Sequence, residues 1–287
     1  MIRDSSPLKA RNLFRIITFL RCRRLDYTTS YSMTPASPLQ QITTWLDTYL
    51  NHAHTPDYPT AYNGLQVENN GEVSHIGCAV DASLDTIYQA IEQGVDLLLV
   101  HHGLYWQGVE MLTGSWREKC KLLLEHNIAV YSSHIPLDIH PEVGNNILLA
   151  QALGMQDITP CLPWKSINIA LRGTLGIHRD ELIERLTSIT HVTPFTCLRG
   201  PEIIDDLFLI TGGAGSQITE IHQLGGENFL TGEGTQWTVP YAEEKQMNYF
   251  LGNHYATETL GVKALADMIK TRFNLNKSTF LRTNNQL

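Results

Sequence analysis

The chain has 287 residues, 43% of them hydrophobic and 17% charged, and a formal net charge of −8. This is the composition of an ordinary globular protein, long enough for one large domain or two smaller ones. Its acidity excludes broad electrostatic binding to nucleic acid or to an anionic membrane, though not a local nucleotide pocket.

No apolar run approaches the length of a membrane span. The five cysteines are widely spaced, without a CxxC pair, and read as reduced thiols rather than a disulfide framework or a zinc ribbon. A cytoplasmic protein is expected. The first 24 residues stand apart, with seven Arg or Lys and one acid, which leaves 14 basic against 28 acidic residues downstream. Residues 1–32 therefore read as a non-core N-terminal extension. It is either an Arg-rich targeting segment or, as preferred here, a mis-assigned start with Met33 the initiator, because the helix from Ser37 onward needs nothing upstream. The segment reads poorly as a secretory signal, since Arg15 interrupts the apolar stretch Leu13–Leu20 and no small-residue cleavage site follows.

Residues 38–50 carry Ile42, Trp45, Leu46, Tyr49 and Leu50 at helical spacing. A loop rich in His, Pro and Tyr runs to the turn dipeptide Asn63-Gly64. Ile76–Val80 predicts a short buried strand, and Leu84, Ile87, Tyr88 and Ile91 a helix stopped by Gly94. Leu97–Val100 is wholly apolar, as in a strand covered on both faces, and His101 and His102 follow it. A helix near 116–126 leads to a strand over Ile128–Ser132, whose end carries His134 and Asp138. This β-α-β-α-β pattern gathers polar residues at the carboxyl ends of strands, where open α/β sheets place their sites.

The pattern recurs 131 residues later. Leu207–Thr211 matches 76–80, Gly225 matches Gly94, Phe229-Leu230-Thr231 matches Leu98-Leu99-Val100, and Glu233 falls opposite His102. The strand Tyr249–Gly252 then ends at His254 and Glu258. The fold class expected is α/β, with two similar α/β half-domains, each around a central sheet, related by an internal repeat and holding a site between them. The first half spans 33–142 and the second 206–287. Residues 143–205 read as a connecting segment with one strand (Ile167–Leu171), one helix (Arg179–Thr187) and no site.

Three constellations carry chemistry. His101-His102 can serve one centre only where the strand ends, because neighbours on a strand point to opposite faces; Gly103 would allow the turn. Asp138 follows the third strand behind Pro136. His254 and Glu258 share a helical face at i, i+4. Each has a plainer reading, as loop histidines, a capping Asp or a solvated His–Glu pair. Together they form a mixed N/O set of the kind divalent ions take, large enough for two ions able to polarise a phosphoryl or carbonyl oxygen. His134 is read as a group that orients a ligand from behind, and Glu233 as a base or a similar supporting group. The run Thr211–Ser216 reads as a tight turn rather than a phosphate cradle.

In this region the chain resembles the Nif3-like (DUF34) proteins, also called GTP cyclohydrolase 1 type 2 homologs. The motifs that carry the resemblance are Asn63-Gly64-Leu65-Gln66-Val67-Glu68, Val100-His101-His102-Gly103, His134-Ile135-Pro136-Leu137-Asp138, Gly144-Asn145-Asn146, Thr211-Gly212-Gly213, Thr231-Gly232-Glu233 and His254-Tyr255-Ala256-Thr257-Glu258. They cover about residues 37–270 in the family's order, and the likeness is to short bacterial members without an inserted domain. It implies a dinuclear metal centre in which His101 and His254 hold one ion, His102 and Asp138 the other, and Glu258 bridges. It also implies a toroidal homohexamer. Residues 1–32 and the run Gly234–Thr238 depart from the family pattern. Metal identity is left among Zn, Fe, Mn, Ni and Co. The function expected is a metal-dependent hydrolase of a nucleotide or phosphorylated small molecule; the alternative is a non-catalytic metal-binding, metal-delivery or regulatory protein.

Overall fold

The computed structural model describes residues 36–283, so the extension expected over 1–32 lies outside them. The first part of the chain runs α1 (Pro38–Tyr49), β1 (Gly64–Val67), β2 (His75–Asp81), α2 (Leu84–Gln93), β3 (Leu97–His102), α3 (Gly114–Glu125), β4 (Ala129–Ser132) and α4 (Ile135–Asp138). Local chemistry sets several of these ends. Ser37 and Gln40 close a capping box on α1 with Pro38 in its first turn. Gly94, at φ 65°, ends α2 in the left-handed region that glycine enters without strain.

Strands β1, β4, β3 and β2 lie side by side in that order, with β2, β3 and β4 parallel and β1 antiparallel at the edge. The apolar run of β3 is buried on both faces, as expected. Leu97 and Leu99 pack with α1 residues such as Ile42 and Leu46, while Leu98 and Val100 pack with Ile87 of α2 and Leu123 of α3. Each of these fully buried aliphatic side chains contributes about 1.5–3 kcal/mol by leaving water.

The next stretch is α5 (Asn145–Leu153), β5 (Gln156–Trp164), β6 (Ile167–His178), α6 (Arg179–Thr190) and β7 (Phe195–Leu198). Here the structure differs from the expected connecting segment of residues 143–205. The expected strand and helix are present within β6 and α6, but β5, β7 and α5 accompany them, and the segment's three strands join the second sheet, whose order is β5-β6-β8-β9-β10-β7, where β8 is Ile203–Ile210, β9 Asn228–Thr231 and β10 Asn248–Leu251. The cause is that most residues of β5 and β6, a long hairpin at the sheet edge, are exposed or half-buried, so these strands lack the apolar runs that mark the central ones. Helices α7 (Ile218–Gln223) and α8 (Thr238–Glu244) cover one face of this sheet, and α5 and α6 the other. The chain closes with α9 (His254–Thr257), α10 (Thr259–Arg272) and β11 (Lys277–Phe280), and β11 returns to pair in parallel with β2 of the first sheet.

The protein is thus α/β with two mixed sheets. In both, three parallel strands carry one antiparallel strand beside the third: β2-β3-β4 with β1, and β8-β9-β10 with β7. Register agrees with the offset of 131 for the first two strands of each set, since Gly77↔Leu98, Cys78↔Leu99 and Ala79↔Val100 are followed by Phe208↔Phe229, Leu209↔Leu230 and Ile210↔Thr231. It is lost at the third strand because the loop and helix after β3 are longer than those after β9. Cys78, Cys120, Cys161 and Cys197 are free thiols. Among the described residues no helix is long and apolar enough to cross a membrane.

Candidate metal centre

The last residues of β3 and residues following β4 and β10 form one cluster. All five residues read from the sequence as candidate ligands are in it. His101 is fully buried, and its Nε2 lies 3.5 Å from both Asp138 Oδ2 and Glu258 Oε1. His102 Nε2 lies 3.5 Å from Glu258 Oε2, and His254 Nε2 lies 3.1 Å from Glu258 Oε1. Glu258, 2% exposed, therefore offers one oxygen to His101 and His254 and the other to His102.

Local structure explains how these side chains meet. β3 continues through His102, which pairs with Asp81, so the two histidines are strand residues and not the start of a turn. They share a centre, with ring centroids 4.8 Å apart, because the cluster caps the end of the strand rather than lying on one face of the sheet. Gly103 serves a different purpose from the one expected. A Cβ there would collide with the Gln66 side chain, whose Oε1 accepts from the Leu104 amide at 2.7 Å. On the other side, Asn253 sits at φ 77° and accepts from the Ala256 amide, which starts α9 and places His254 one turn before Glu258. Gly212, at φ 71°, lies against that pair, and a Cβ there would collide with Glu258 Oε1. The run Thr211–Ser216 is thus a turn that makes room for the carboxylate, as a tight turn reading expects.

Every imidazole in the cluster is held from behind. His101 Nδ1 contacts the Ser133 carbonyl at 3.0 Å, His102 Nδ1 contacts Asp81 Oδ1 at 2.8 Å, His134 Nδ1 contacts Asp57 Oδ1 at 2.8 Å, and His254 Nδ1 contacts Glu233 Oε2 at 2.8 Å. A carbonyl can only accept, and a carboxylate oxygen accepts in the same way, so each Nδ1 is placed to donate and each Nε2 is the nitrogen left to face the cluster. Glu233, read from the sequence as a base or a supporting group, contacts His254. His134 is closer in than expected: its ligand atom groups with those of His101 and His102, all within 4.8 Å of one another.

Sequence reasoning does not find Asp57 or Asp81. Asp81 has a readable signal, since it ends the apolar strand parallel to the histidine strand. Asp57 has none, because it lies in a loop and reaches His134 and the Ile135 amide only through the fold. Asn145 and Asn146 belong to the segment expected to hold no site, and the structure corrects that expectation. Asn145 donates to Asp138 at 2.8 Å and accepts from the Gly261 amide at 2.7 Å, and Asn146 accepts from the Thr211 amide at 2.8 Å. The segment enters the site because α5 packs against α4, α10 and β8, the elements that lead into the ligand loops.

The charges oppose one another strongly. Burial works to lower the pKa of His101, yet the carboxylates of Asp138 and Glu258 raise it to about 10. Burial likewise works against protonated His254, but Glu258 and Glu233 raise it to about 9. Burial pushes Asp138 up, and His101 only partly offsets this. For Glu258 burial is again the largest opposing influence, but His101 and His102 hold the carboxyl well below its usual range.

Three atoms in the cluster, His101 Nε2, His102 Nε2 and Glu258 Oε2, are buried without a hydrogen-bond partner. Such atoms each cost about 1–3 kcal/mol when nothing satisfies them. Imidazole nitrogens and carboxylate oxygens facing one point are what borderline divalent ions take as ligands. By distance the ligand atoms form the groups His101, Asp138, Glu258 and His102, His254, Glu258. The pairing implied by the resemblance puts His254 with His101 and Asp138 with His102. The residues fit a metal. An Asp81→Asn variant is expected to bind it about 10–100-fold more weakly, because His102 loses the carboxylate that orients it. Competition with a chelator measures this, and unchanged affinity would remove Asp81 from the site.

Residues 38–286 match the Duf34/NIF3 (NGG1p interacting factor 3) family. A GTP cyclohydrolase 1 type 2 homolog of Pyrococcus abyssi is 36% identical over 248 residues, 84% of this chain and 96% of its own length. One from Deinococcus radiodurans is 34% identical over 237 residues, 82% of this chain and 89% of its own. Among solved structures, TTHA1606 from Thermus thermophilus superposes with a TM-score of 0.78 at 33% identity, covering 86% of this chain and 98% of that one.

Proposed function

This chain belongs to the Duf34/NIF3 family, and on that premise we propose that it is a metal-dependent hydrolase acting on a nucleotide or related phosphorylated small molecule. The observation that carries the reading is the set of unpartnered buried atoms on His101, His102 and Glu258 beside a cavity of about 420 Å³, which His102 and Glu258 line. That volume lies in the range of small-molecule sites. His101, His102, Asp138, His254 and Glu258 would hold two divalent ions, with Glu258 shared between them. When bound, such ions supply Lewis acidity toward a phosphoryl or carbonyl oxygen and lower the pKa of water.

The chain's own residues do the rest. Ser133, Asp81, Asp57 and Glu233 fix the tautomers of the four histidines, and Asn145 ties Asp138 to α10. The relatives' name supports a nucleotide among the substrates to try. Two similar half-domains contributing ligands to one centre, and assembly as a homohexamer, belong to the same proposal.

The test uses protein stripped with a chelator and reloaded with Zn, Mn, Fe, Co or Ni, assayed on nucleotides including GTP and on phosphomonoesters and phosphodiesters. Turnover is expected to vanish on stripping and to return with metal. Full metal occupancy with no turnover on any substrate would overturn the hydrolase reading in favour of a metal carrier.

A further inference from the structure

The cavity above the cluster has a wall that the ligand set does not require. Trp106, on the loop after β3, stacks on His102 with centroids 5.1 Å apart and 20° between planes, and lies 4.3 Å from the His134 ring. Tyr58, from the loop before β1, stands edge-on to Trp106 at 6.1 Å and tilts toward Trp164 at 5.5 Å. Trp164 comes from the far end of β5, at the tip of the hairpin it makes with β6. Three aromatic rings from three separate segments thus run in a row from the cluster to the cavity mouth. Much of the other lining is aliphatic, including Ile139, Ile169 and Ile210.

The row is braced. Lys165 at the hairpin tip places its ammonium 4.1 Å from the Trp164 ring centroid and 5.9 Å from that of Tyr58. It also donates to the Asp57 carbonyl at 2.7 Å, so the mouth is tied to the residue that orients His134. Tyr58 is 51% exposed. A large aromatic side chain left at the rim of a cavity offers a π-face to a ligand at little entropic cost, since it has only two side-chain torsions.

We propose that this aromatic row is a stacking slot for a planar heteroaromatic ring, and that the ligand of the site is such a ring carrying a phosphate. The phosphate part rests on the proposed function. The ring part rests on Tyr58, Trp106 and Trp164, none of which would hold a metal. An aliphatic or sugar phosphate would gain from the metal centre but not from the slot. A base or similar bicyclic ring would gain from both, because stacking on an aromatic side chain is sequence-tolerant and desolvates both faces.

Calorimetric titration of the full chain with GMP and with ribose 5-phosphate, in metal-stripped and zinc-loaded protein, tests the slot apart from hydrolysis. GMP is expected to bind at least about tenfold more tightly than ribose 5-phosphate in both forms, as expected for one stacked ring. Trp164→Ala is expected to erase that difference and Trp164→Phe to keep it, with bound zinc per chain unchanged in each. Tyr58→Ala, at a half-exposed position, gives the same readout if the Trp164→Ala chain does not fold. Equal affinity for the two probes, no binding of GMP, or a difference that survives both alanine variants would overturn the slot. A slot that binds GMP in a protein without turnover would leave this inference standing and sink the hydrolase reading instead.

Discussion

Replacing Glu258 by alanine is expected to empty the metal centre, with metal retained after dialysis falling to background and affinity dropping by more than about 100-fold. The size of the effect follows from the position of the carboxylate. Its two oxygens face three histidines, and it belongs to two of the ligand groups at once. The other carboxylate, Asp138, faces only His101 and belongs to one group, so its loss should leave one ion partly held. The fold should survive the change, because the flanking α9 and α10 are anchored by Asn253 and by core residues such as Val262 and Leu265. Metal analysis of the dialysed variant, alongside circular dichroism, measures both parts. Full metal content in a folded Glu258→Ala protein would refute the assignment of Glu258 as the shared ligand.

Metal affinity is expected to rise steeply with pH. In the metal-free cluster His101 is raised to about 10 and His254 to about 9. The groups facing His101 are Asp138 and Glu258, and those facing His254 are Glu258 and Glu233. At pH 7 both imidazoles therefore hold a second proton that an incoming ion must displace. Each displaced proton makes affinity rise about tenfold per pH unit, so two protons give a rise of about 100-fold per unit up to pH 9. Above about pH 10 the dependence should flatten.

The metal-free protein should behave in the opposite sense. A histidine whose pKa is raised on folding stabilises the fold fully below its unfolded value near 6.5, and loses that contribution as pH rises through the folded value. The melting temperature of stripped protein should therefore fall between pH 7 and 10. Zinc titrations in buffers of different ionisation enthalpy count the protons released. An affinity that does not change between pH 7 and 9 would show that the histidines are already neutral.

The central strands are legible in the sequence because β2, β3 and β4 are covered on both faces, which demands uninterrupted apolar runs such as Leu97–Val100. The offset of 131 is legible for the same reason, and the registers of the first two strands of each set follow it. The edge hairpin of β5 and β6 is less so, since half-exposed strands mix polar and apolar residues. Trp164 and Lys165 sit at its tip, so the mouth of the cavity is unreadable with it.

The sequence by itself determined which groups can bind a metal: three histidines and two carboxylates, each just past an apolar strand, in motifs shared with a family. Their types and local spacing survive as contacts because a strand end or a single helical turn positions each one over a few residues. Only the tertiary structure decided what stands behind them. Asp57 is 77 residues from His134, Asp81 is 21 from His102, and Asn145 is 116 from Gly261. Those partners meet through the packing of separate strands and loops, and no local periodicity records which carboxylate will face which imidazole.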